Sequence, residues 1–287
     1  MHQTKKPQMF EILSATHVTF DQLHETMLSS FSDYAIPMQL SLGAFEMMMR
    51  QRGLDLHSSR VAVVDGQVAA IWLTSVRGSK GYLISSGTRP EFRSKGLARA
   101  MANDCLDYLR STGIRSFQTE VLRDNETAAG LYYSLGMTKA RALDCYTLPI
   151  SQASKPGSEL FEPVYWRDLA PRVAKLRDWA PSWQNNDASM EAIADQLLCV
   201  AMIDEGGELK AYAAVSPNSG TVHQLAVSKD YRRRGMARAA LIAIQRQLPE
   251  TPLRLINVQQ DDAAFRALMT SVSATETSGQ YELWLDL

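Results

Sequence analysis

Arg93-Ser94-Lys95-Gly96-Leu97-Ala98 and Arg232-Arg233-Arg234-Gly235-Met236-Ala237 carry one pattern, Arg-x-x-Gly-x-Ala, in two places. Each follows a strand-like run, Leu83 to Thr88 and His223 to Val227, and a short connection holding Pro90-Glu91-Phe92 or Asp230-Tyr231. Each opens an Ala-rich amphipathic helix. A basic, glycine-containing turn between a strand and a helix start is a device for holding phosphate. The first-turn N–H groups have no intrahelical partner and the helix dipole favours an anion there. Glycine lets backbone approach a ligand with no Cβ in the way. One such turn is a weak signal; two at matching places in two halves of one chain are a strong one.

The halves keep nearly the same ruler. From Gly96 to Asn125 is 29 positions, and from Gly235 to Asp262 is 27. In the first half, Met9 to Leu13 predicts a strand, and Thr19-Phe20-Asp21-Gln22 a capping box opening a helix that runs to about Ser30. Asp33 to Met38 breaks it, and a second helix starts at Ser41 or Leu42 with Phe45, Met48 and Met49 inward. Ser59–Val64 and Gln67–Thr74 form a hairpin about Asp65-Gly66. Tyr82–Thr88 leads into the first turn, then come helix Gly96–Arg110, strand Ser116–Leu122, a helix capped by Asn125 and strand Ala142–Leu148. Pro149 to Ser158 is polar, rich in Pro, Gly and Ser and without periodicity, so residues 151–158 read as a linker between domains 1–150 and 159–287. The order then repeats: strand Leu160–Tyr165, helices Leu169–Trp179 and Ser189–Leu197, a hairpin about Gly206-Gly207, strand Thr221–Val227, helix Gly235–Gln247, strand Leu253–Val258, a helix over Asp262–Met269 and strand Tyr281–Leu285.

Composition is that of a globular chain: 287 residues, 45% hydrophobic, 21% charged, net charge −1. Such a balance gives no general attraction to nucleic acid or to acidic membranes, so neither is expected as a partner, and anion binding must be local. Cys105, Cys145 and Cys199 are odd in number and unrelated in spacing, which reads as buried free thiols. The lysines near the N-terminus precede no long apolar run, and no stretch approaches a membrane span, so the expected setting is cytoplasmic. His2, His17, His24, His57 and His223 show no metal-ligand spacing, and no metal is expected.

The order of elements, the turn motif and Asn125-Glu126-Thr127-Ala128-Ala129-Gly130-Leu131-Tyr132-Tyr133-Ser134-Leu135-Gly136-Met137 together resemble the GCN5-related N-acetyltransferase (GNAT) superfamily. Its turn is written Gln/Arg-x-x-Gly-x-Gly/Ala, and its signature Asn-x-x-Ala-x-x-Leu-Tyr-x-x-x-Gly-hydrophobic. The resemblance covers nearly the whole chain as two tandem copies. It implies an α/β (α+β) fold of two GNAT-like domains, each a mixed, mostly antiparallel twisted sheet flanked by helices.

The resemblance further implies an acetyl-CoA-dependent N-acetyltransferase with a coenzyme A site in the first half. The backbone of Ser86, Gly87 and Thr88 would pair with the pantetheine arm like an added strand. N–H groups over Ser94, Lys95, Gly96, Leu97, Ala98 and Arg99 would hold the pyrophosphate, and Arg93 would orient the turn or neutralise charge. Asn125 would touch the cofactor arm or cap its helix. Tyr132 matches the family tyrosine near the thioester sulfur; a phenol is neutral at pH 7 and can protonate a departing thiolate. A strand-end N–H near Thr88 could stabilise the oxyanion.

The base is less defined. Many members place a Glu on the strand before the turn, and Lys80–Thr88 has no carboxylate. Glu120 on the next strand is the candidate, against the plainer reading of a strand glutamate paired with Arg or Lys. Asp33 could meet a cationic substrate or merely end its helix. Leu225, Val227, Arg232, Arg233, Arg234, Gly235, Met236 and Ala237 form a second possible coenzyme A turn, but aligning Asp262 with Asn125 puts Met269 at Tyr132 and Ser273 at Gly136. Methionine cannot donate that proton. The second half therefore binds a nucleotide-like ligand without catalysis, or serves as a wall or a homodimer surface, unless catalysis sits there instead. His223 on its strand is a base or a structural histidine. The acceptor would be a small-molecule or peptide amine; a non-catalytic acyl-CoA sensor is the alternative from another class.

Overall fold

Two glycine-bearing hairpins and two forked strands set the framework. The computed structural model describes residues 10–33, 39–149 and 160–287. The stretch 151–158 read as a linker, Met9 at the start of the first strand and Tyr34–Met38 of the helix break lie outside the described residues. Contacts divide the chain into two compact units. Unit 1 holds the described residues up to Glu120, with Glu126–Thr138 and Leu283–Leu287; unit 2 holds Val121–Asn125 and the described residues of Lys139–Glu282. The units thus cut across the two repeats.

In unit 1, β1 (Phe10–Ser14), β2 (Arg60–Val64), β3 (Gln67–Arg77), β4 (Lys80–Thr88) and β5 (Ser116–Leu122) lie in sequence order. The β2–β3 turn works as read: Asp65 and Gly66 both sit at positive φ, 50° and 78°, which a two-residue hairpin turn demands. Helix α1 (Phe20–Ser30) has the full capping box, Thr19 and Gln22 each accepting from the other's backbone N–H. Helix α2 (Leu42–Arg52) is capped by Ser41 and ends on Gly53 in the left-handed region. Leu23, Met27, Phe45 and Met49 are buried, while Met48 is only half-buried. Helix α3 (Leu97–Ser111) lays Leu97, Met101, Cys105 and Leu109 on the core around the fully buried Trp72, and α4 (Glu126–Ser134) follows β5.

The feature that positions a site is the parting of β4 and β5. They pair in parallel only from Lys80–Tyr82 to Ser116–Gln118. At the fork Thr119 Oγ1 donates to the Leu83 carbonyl at 3.2 Å. Beyond it, β4 keeps its β3 ladder, Ser86 opposite Trp72 and Thr88 opposite Ala70, while its other edge loses its strand partner. A register shift between Leu73 and Thr74 places a bulge at Ile84. Gly87 is required for packing: a Cβ there would meet Ser30 Cβ at 2.7 Å.

In unit 2 the strand order is β6 (Thr138–Leu148, from Lys139 on), β11 (Leu253–Gln259), β10 (Thr221–Val227), β9 (Leu209–Ser216), β8 (Leu198–Ile203) and β7 (Glu162–Val164). Helices α7 (Met236–Gln247) and α8 (Ala263–Ser271) pack with it around Val200, Ala213, Val222, Ile244, Leu255 and Met269. The fork recurs. Strands β10 and β11 pair in parallel only at Thr221–Arg254 and Val222–Leu255, and a bulge at His223 breaks the β9–β10 register. Some bounds differ from those read in sequence. Helix α5 is Trp166–Val173 rather than Leu169–Trp179, because the chain turns helical straight after Tyr165 and the turn past Pro171 tightens to a 3-10 segment, Ala174–Leu176. Helix α6 is Asp187–Ala192, started by Asn186 accepting from the Ser189 N–H. Strand β12 (Thr275–Asp286) is longer than its apolar end predicted.

Candidate functional site

The two basic turns adopt one conformation. Arg93 has φ −66° and ψ 163°, Arg232 φ −68° and ψ 161°; Ser94 and Arg233 are both at φ 61°; Gly96 and Gly235 are left-handed at φ 78° and 80°, each with ψ 5°. Ser94 and Arg233 hold a conformation that costs a non-glycine residue ~1–2 kcal/mol, so the surrounding structure over-determines it. The resulting run of N–H groups forms an anion-binding concavity. Helices α3 and α7 have no side-chain cap, and a Cβ built on Gly96 or Gly235 meets nothing within 4 Å. An uncapped helix start with open space before it fits a pyrophosphate, the anionic part of coenzyme A.

What holds each turn is a buttress built twice. Arg93 donates from Nε to the Thr88 carbonyl at 3.2 Å and from Nη2 to the Ser30 carbonyl at 3.0 Å. It grips Asp33 bidentately at 2.5 and 2.8 Å. Arg232 donates from Nε to Val227 O at 3.0 Å and from Nη2 to Leu176 O at 3.4 Å, and pairs with Asp178 at 3.0 Å. The bonds of Arg93 tie it to the end of β4, the end of α1 and Asp33. Asp33, read as meeting a cationic substrate or merely ending its helix, is Arg93's partner, and the guanidinium holds its carboxyl below the ordinary value. Lys95 lies over the Phe92 ring and Arg234 over the Tyr231 ring, at 4.9 and 5.1 Å. Arg99 donates to Ser134 Oγ at 2.7 Å, joining α3 to α4.

Tyr132 is buried, its ring edge-on to Trp72 at 6.1 Å. Glu120 is half-buried and accepts from the Tyr82 hydroxyl at 2.5 Å. Tyr82, buried on β4, is the neighbour of Glu120 that sequence reading missed. Ser86, Gly87 and Thr88 lie on the edge of β4 that loses β5. Asn125 directly precedes α4, its N–H donating to the Leu122 carbonyl at 3.1 Å.

Unit 2 contains a cavity of about 580 Å³ at the second turn. Leu225, Val227, Arg232, Arg233, Gly235, Met236 and Ala237 all line it, with His223 and Gln224 from the fork and Phe265 and Leu268 from α8. Its size is within the range of small-molecule sites. Met269 is buried in the unit 2 core and is not among the lining residues. The alignment made in sequence is physical: α8 follows its cap Asp262 as α4 follows Asn125, and Ser273 is left-handed at φ 55° where Gly136 is at φ 91°.

The sequence profile of the Acetyltransferase (GNAT) family matches the chain twice, over residues 20–137 and 161–269. Among solved structures, the chain is similar to a tandem GNAT protein from the clavulanic acid biosynthesis pathway, solved without acetyl-CoA. That match has 14% identity and a TM-score of 0.70, covering 97% of this chain and 98% of that one. It is similar also to a GCN5-related N-acetyltransferase from Sphaerobacter thermophilus, at 15% identity and a TM-score of 0.71, covering 96% and 95% of the two chains. At these identities the likeness is one of fold, and the mixed, mostly antiparallel sheet flanked by helices is the fold expected from sequence. Two profile matches spanning most of the residues make the chain a member of the Acetyltransferase (GNAT) family, an acyltransferase built from two copies of the family's sequence.

Proposed function

We propose that the protein is an acetyl-CoA-dependent N-acetyltransferase in which an acceptor amine attacks the thioester directly. The observation that carries this reading is the pairing of an uncapped, left-handed glycine turn with a strand edge that has just lost its neighbour. One end offers a row of N–H donors to a pyrophosphate, the other free backbone groups to an amide-bearing arm. Residues 1–150 and 159–287 then act as two family domains.

Bound acetyl-CoA would supply an activated acetyl group. In the first half, Ser94 to Arg99 hold the phosphates and Arg93 keeps the turn in shape. Ser86, Gly87 and Thr88 align the arm, with Asn125 at the start of α4. Glu120, fixed by Tyr82, receives the proton the amine gives up, and the Tyr132 hydroxyl gives one to the departing sulfur. The acceptor is a small-molecule or peptide amine, as for the family at large.

The test is to mix the protein with acetyl-CoA and a panel of polyamines, amino sugars and peptides with free N-termini, and to follow free thiol. Thiol release that depends on an amine and yields its acetyl amide is the expected result. Tight acetyl-CoA binding with no amine-dependent release would turn the reading toward an acyl-CoA sensor.

A further inference from the structure

The two halves carry the same pair of side chains beside their turns and use it differently. In the first half Arg99, three residues past Gly96, donates to Ser134 Oγ at 2.7 Å. Ser134 Oγ in turn donates to the Leu131 carbonyl at 2.6 Å, so α3 is latched to α4. In the second half Arg238 stands three residues past Gly235, and Ser271 stands nine past Asp262 as Ser134 stands nine past Asn125. Ser271 Oγ makes the same bond to its own helix, donating to the Leu268 carbonyl at 2.7 Å. Arg238 does not reach it. Both residues line the cavity, and the Arg238 side chain forms no hydrogen bond or ion pair with any described residue. What is a latch in the first half is an open cleft in the second.

Four arginines line that cavity, Arg177, Arg232, Arg233 and Arg238. Arg177 donates to both oxygens of Asp187, at 2.9 and 2.7 Å, and Arg232 pairs with Asp178 at 3.0 Å. The Arg233 side chain, like that of Arg238, bonds to no described residue. The carboxylates on the wall do not answer them. Asp178 is held by Arg232, and Asp262 accepts from the Phe265 N–H and the Trp179 indole. At the fork end the polar groups are engaged as well: His223 lies between Asn185 and Ser216, and Gln224 between the Asn185 carbonyl and the Tyr212 hydroxyl. Two guanidiniums are left over, both beside the turn. The matching places of the first half hold Ser94, which is neutral, and Arg99, which is latched.

The N–H groups of a turn and its helix dipole suit one diphosphate. Two further fixed cations call for a further anion, and a guanidinium fork matches phosphate oxygens better than any other side chain does. Coenzyme A offers that anion: apart from its diphosphate it carries a phosphomonoester on the ribose 3′ oxygen. We propose that Arg233 and Arg238 form a phosphomonoester subsite, so that the second cleft recognises coenzyme A by its 3′-phosphate and the first cleft does so far less. This rests on reading the basic turns as coenzyme A sites and concerns which part of the coenzyme each one reads.

The test compares coenzyme A with dephospho-coenzyme A, which lacks only that phosphate, by titration calorimetry. In the full chain carrying Gly96→Glu the second turn alone is intact. There coenzyme A should bind about 10–10²-fold more tightly than dephospho-coenzyme A, the range of hydrogen bonds to charged groups. The ratio should shrink as salt is added. In the chain carrying Gly235→Glu, where the first turn alone is intact, the ratio should be several times smaller. Adding Arg233→Ser and Arg238→Gln to the Gly96→Glu chain should bring the ratio close to one, mainly by weakening coenzyme A. Serine is the residue that the first turn carries at the same φ of 61°, so the backbone accepts it. Arg238→Gln alone leaves the turn untouched and should lower the ratio severalfold by itself. Equal affinity for the two ligands in the Gly96→Glu chain would overturn the proposal, as would equal ratios at the two turns or a ratio that Arg238→Gln leaves unchanged. A Gly96→Glu chain that binds neither ligand, beside a wild type that binds coenzyme A, would overturn it too. A wild type that binds no coenzyme A and releases no thiol with any amine would instead count against the acetyltransferase reading itself.

Discussion

At the scale of single residues, Tyr132 carries the sharpest consequence of the mechanism. It sits at the family tyrosine's place in the signature, buried and edge-on to Trp72. Tyr132→Phe keeps the ring packing and removes only the hydroxyl. Measured in a Gly235→Glu background, so that the first turn alone contributes, it should lower amine-dependent thiol release about 10²–10⁴-fold. The coenzyme A dissociation constant should stay within about twofold; an unchanged rate would return Tyr132 to plain packing. Gly87 gives a stability prediction. Gly87→Ala drives a Cβ into Ser30 at 2.7 Å, an overpacking that should cost about 1–3 kcal/mol and lower the melting temperature, read by scanning calorimetry. Tyr132 was legible because it belongs to a local signature. The hydrogen bonds of His223 to Asn185 and Ser216 were not, because these partners lie 38 and 7 positions away and only the fold brings them together. In sequence His223 was a solitary histidine and Asn185 part of a loop.

At the scale of elements, local chemistry was readable and tertiary chemistry was not. The capping box of α1, the turn between β2 and β3 and the bounds of β10 all depend on residues within four or five positions, and each lies where the sequence put it. The buttress under the first turn depends on Asp33, 60 positions before Arg93, and the second on Asp178, 54 positions before Arg232. No spacing rule announces either partner. The buttress makes a pH-dependent prediction. Arg93 lowers the Asp33 pKa in the folded protein, so the carboxylate's contribution is present above its unfolded value near 3.9 and is lost as pH falls through the lower folded value. Thermal unfolding of Asp33→Asn should therefore fall below wild type at pH 6–7, and the gap should close as pH drops below about 4. Because the pair is well exposed, the gap should be small and should shrink with added salt. A gap that is constant down to pH 3 would assign the effect to packing rather than charge.

At the scale of the whole chain, the duplicated turn raises the question of how many ligands it binds. The first and second turns match in every backbone angle compared above to within a few degrees, and each is braced by an Arg–Asp pair and faces open space at its glycine. The backbone of the turns does not distinguish a working copy from a relic; the differences lie in side chains, at Ser94-Lys95 against Arg233-Arg234 within the turns, at Ile84 against His223 before them and at Tyr132 against Met269 after them. Binding and catalysis should therefore separate. Calorimetric titration with coenzyme A should give two equivalents for the wild-type chain. Gly96→Glu and Gly235→Glu should each leave one and together leave none. Neither change should unfold the protein, since the new Cβ meets no neighbour and the left-handed φ costs only ~1–2 kcal/mol. The introduced carboxylate stands where phosphate oxygens would gather and repels them, so the lost equivalent should be absent at low salt and recover partly as salt screens the repulsion. One equivalent in the wild type, removed by Gly235→Glu and untouched by Gly96→Glu, would make the first turn a copy that kept its shape after losing its ligand. The opposite pattern would assign the cavity of unit 2 to a molecule other than coenzyme A.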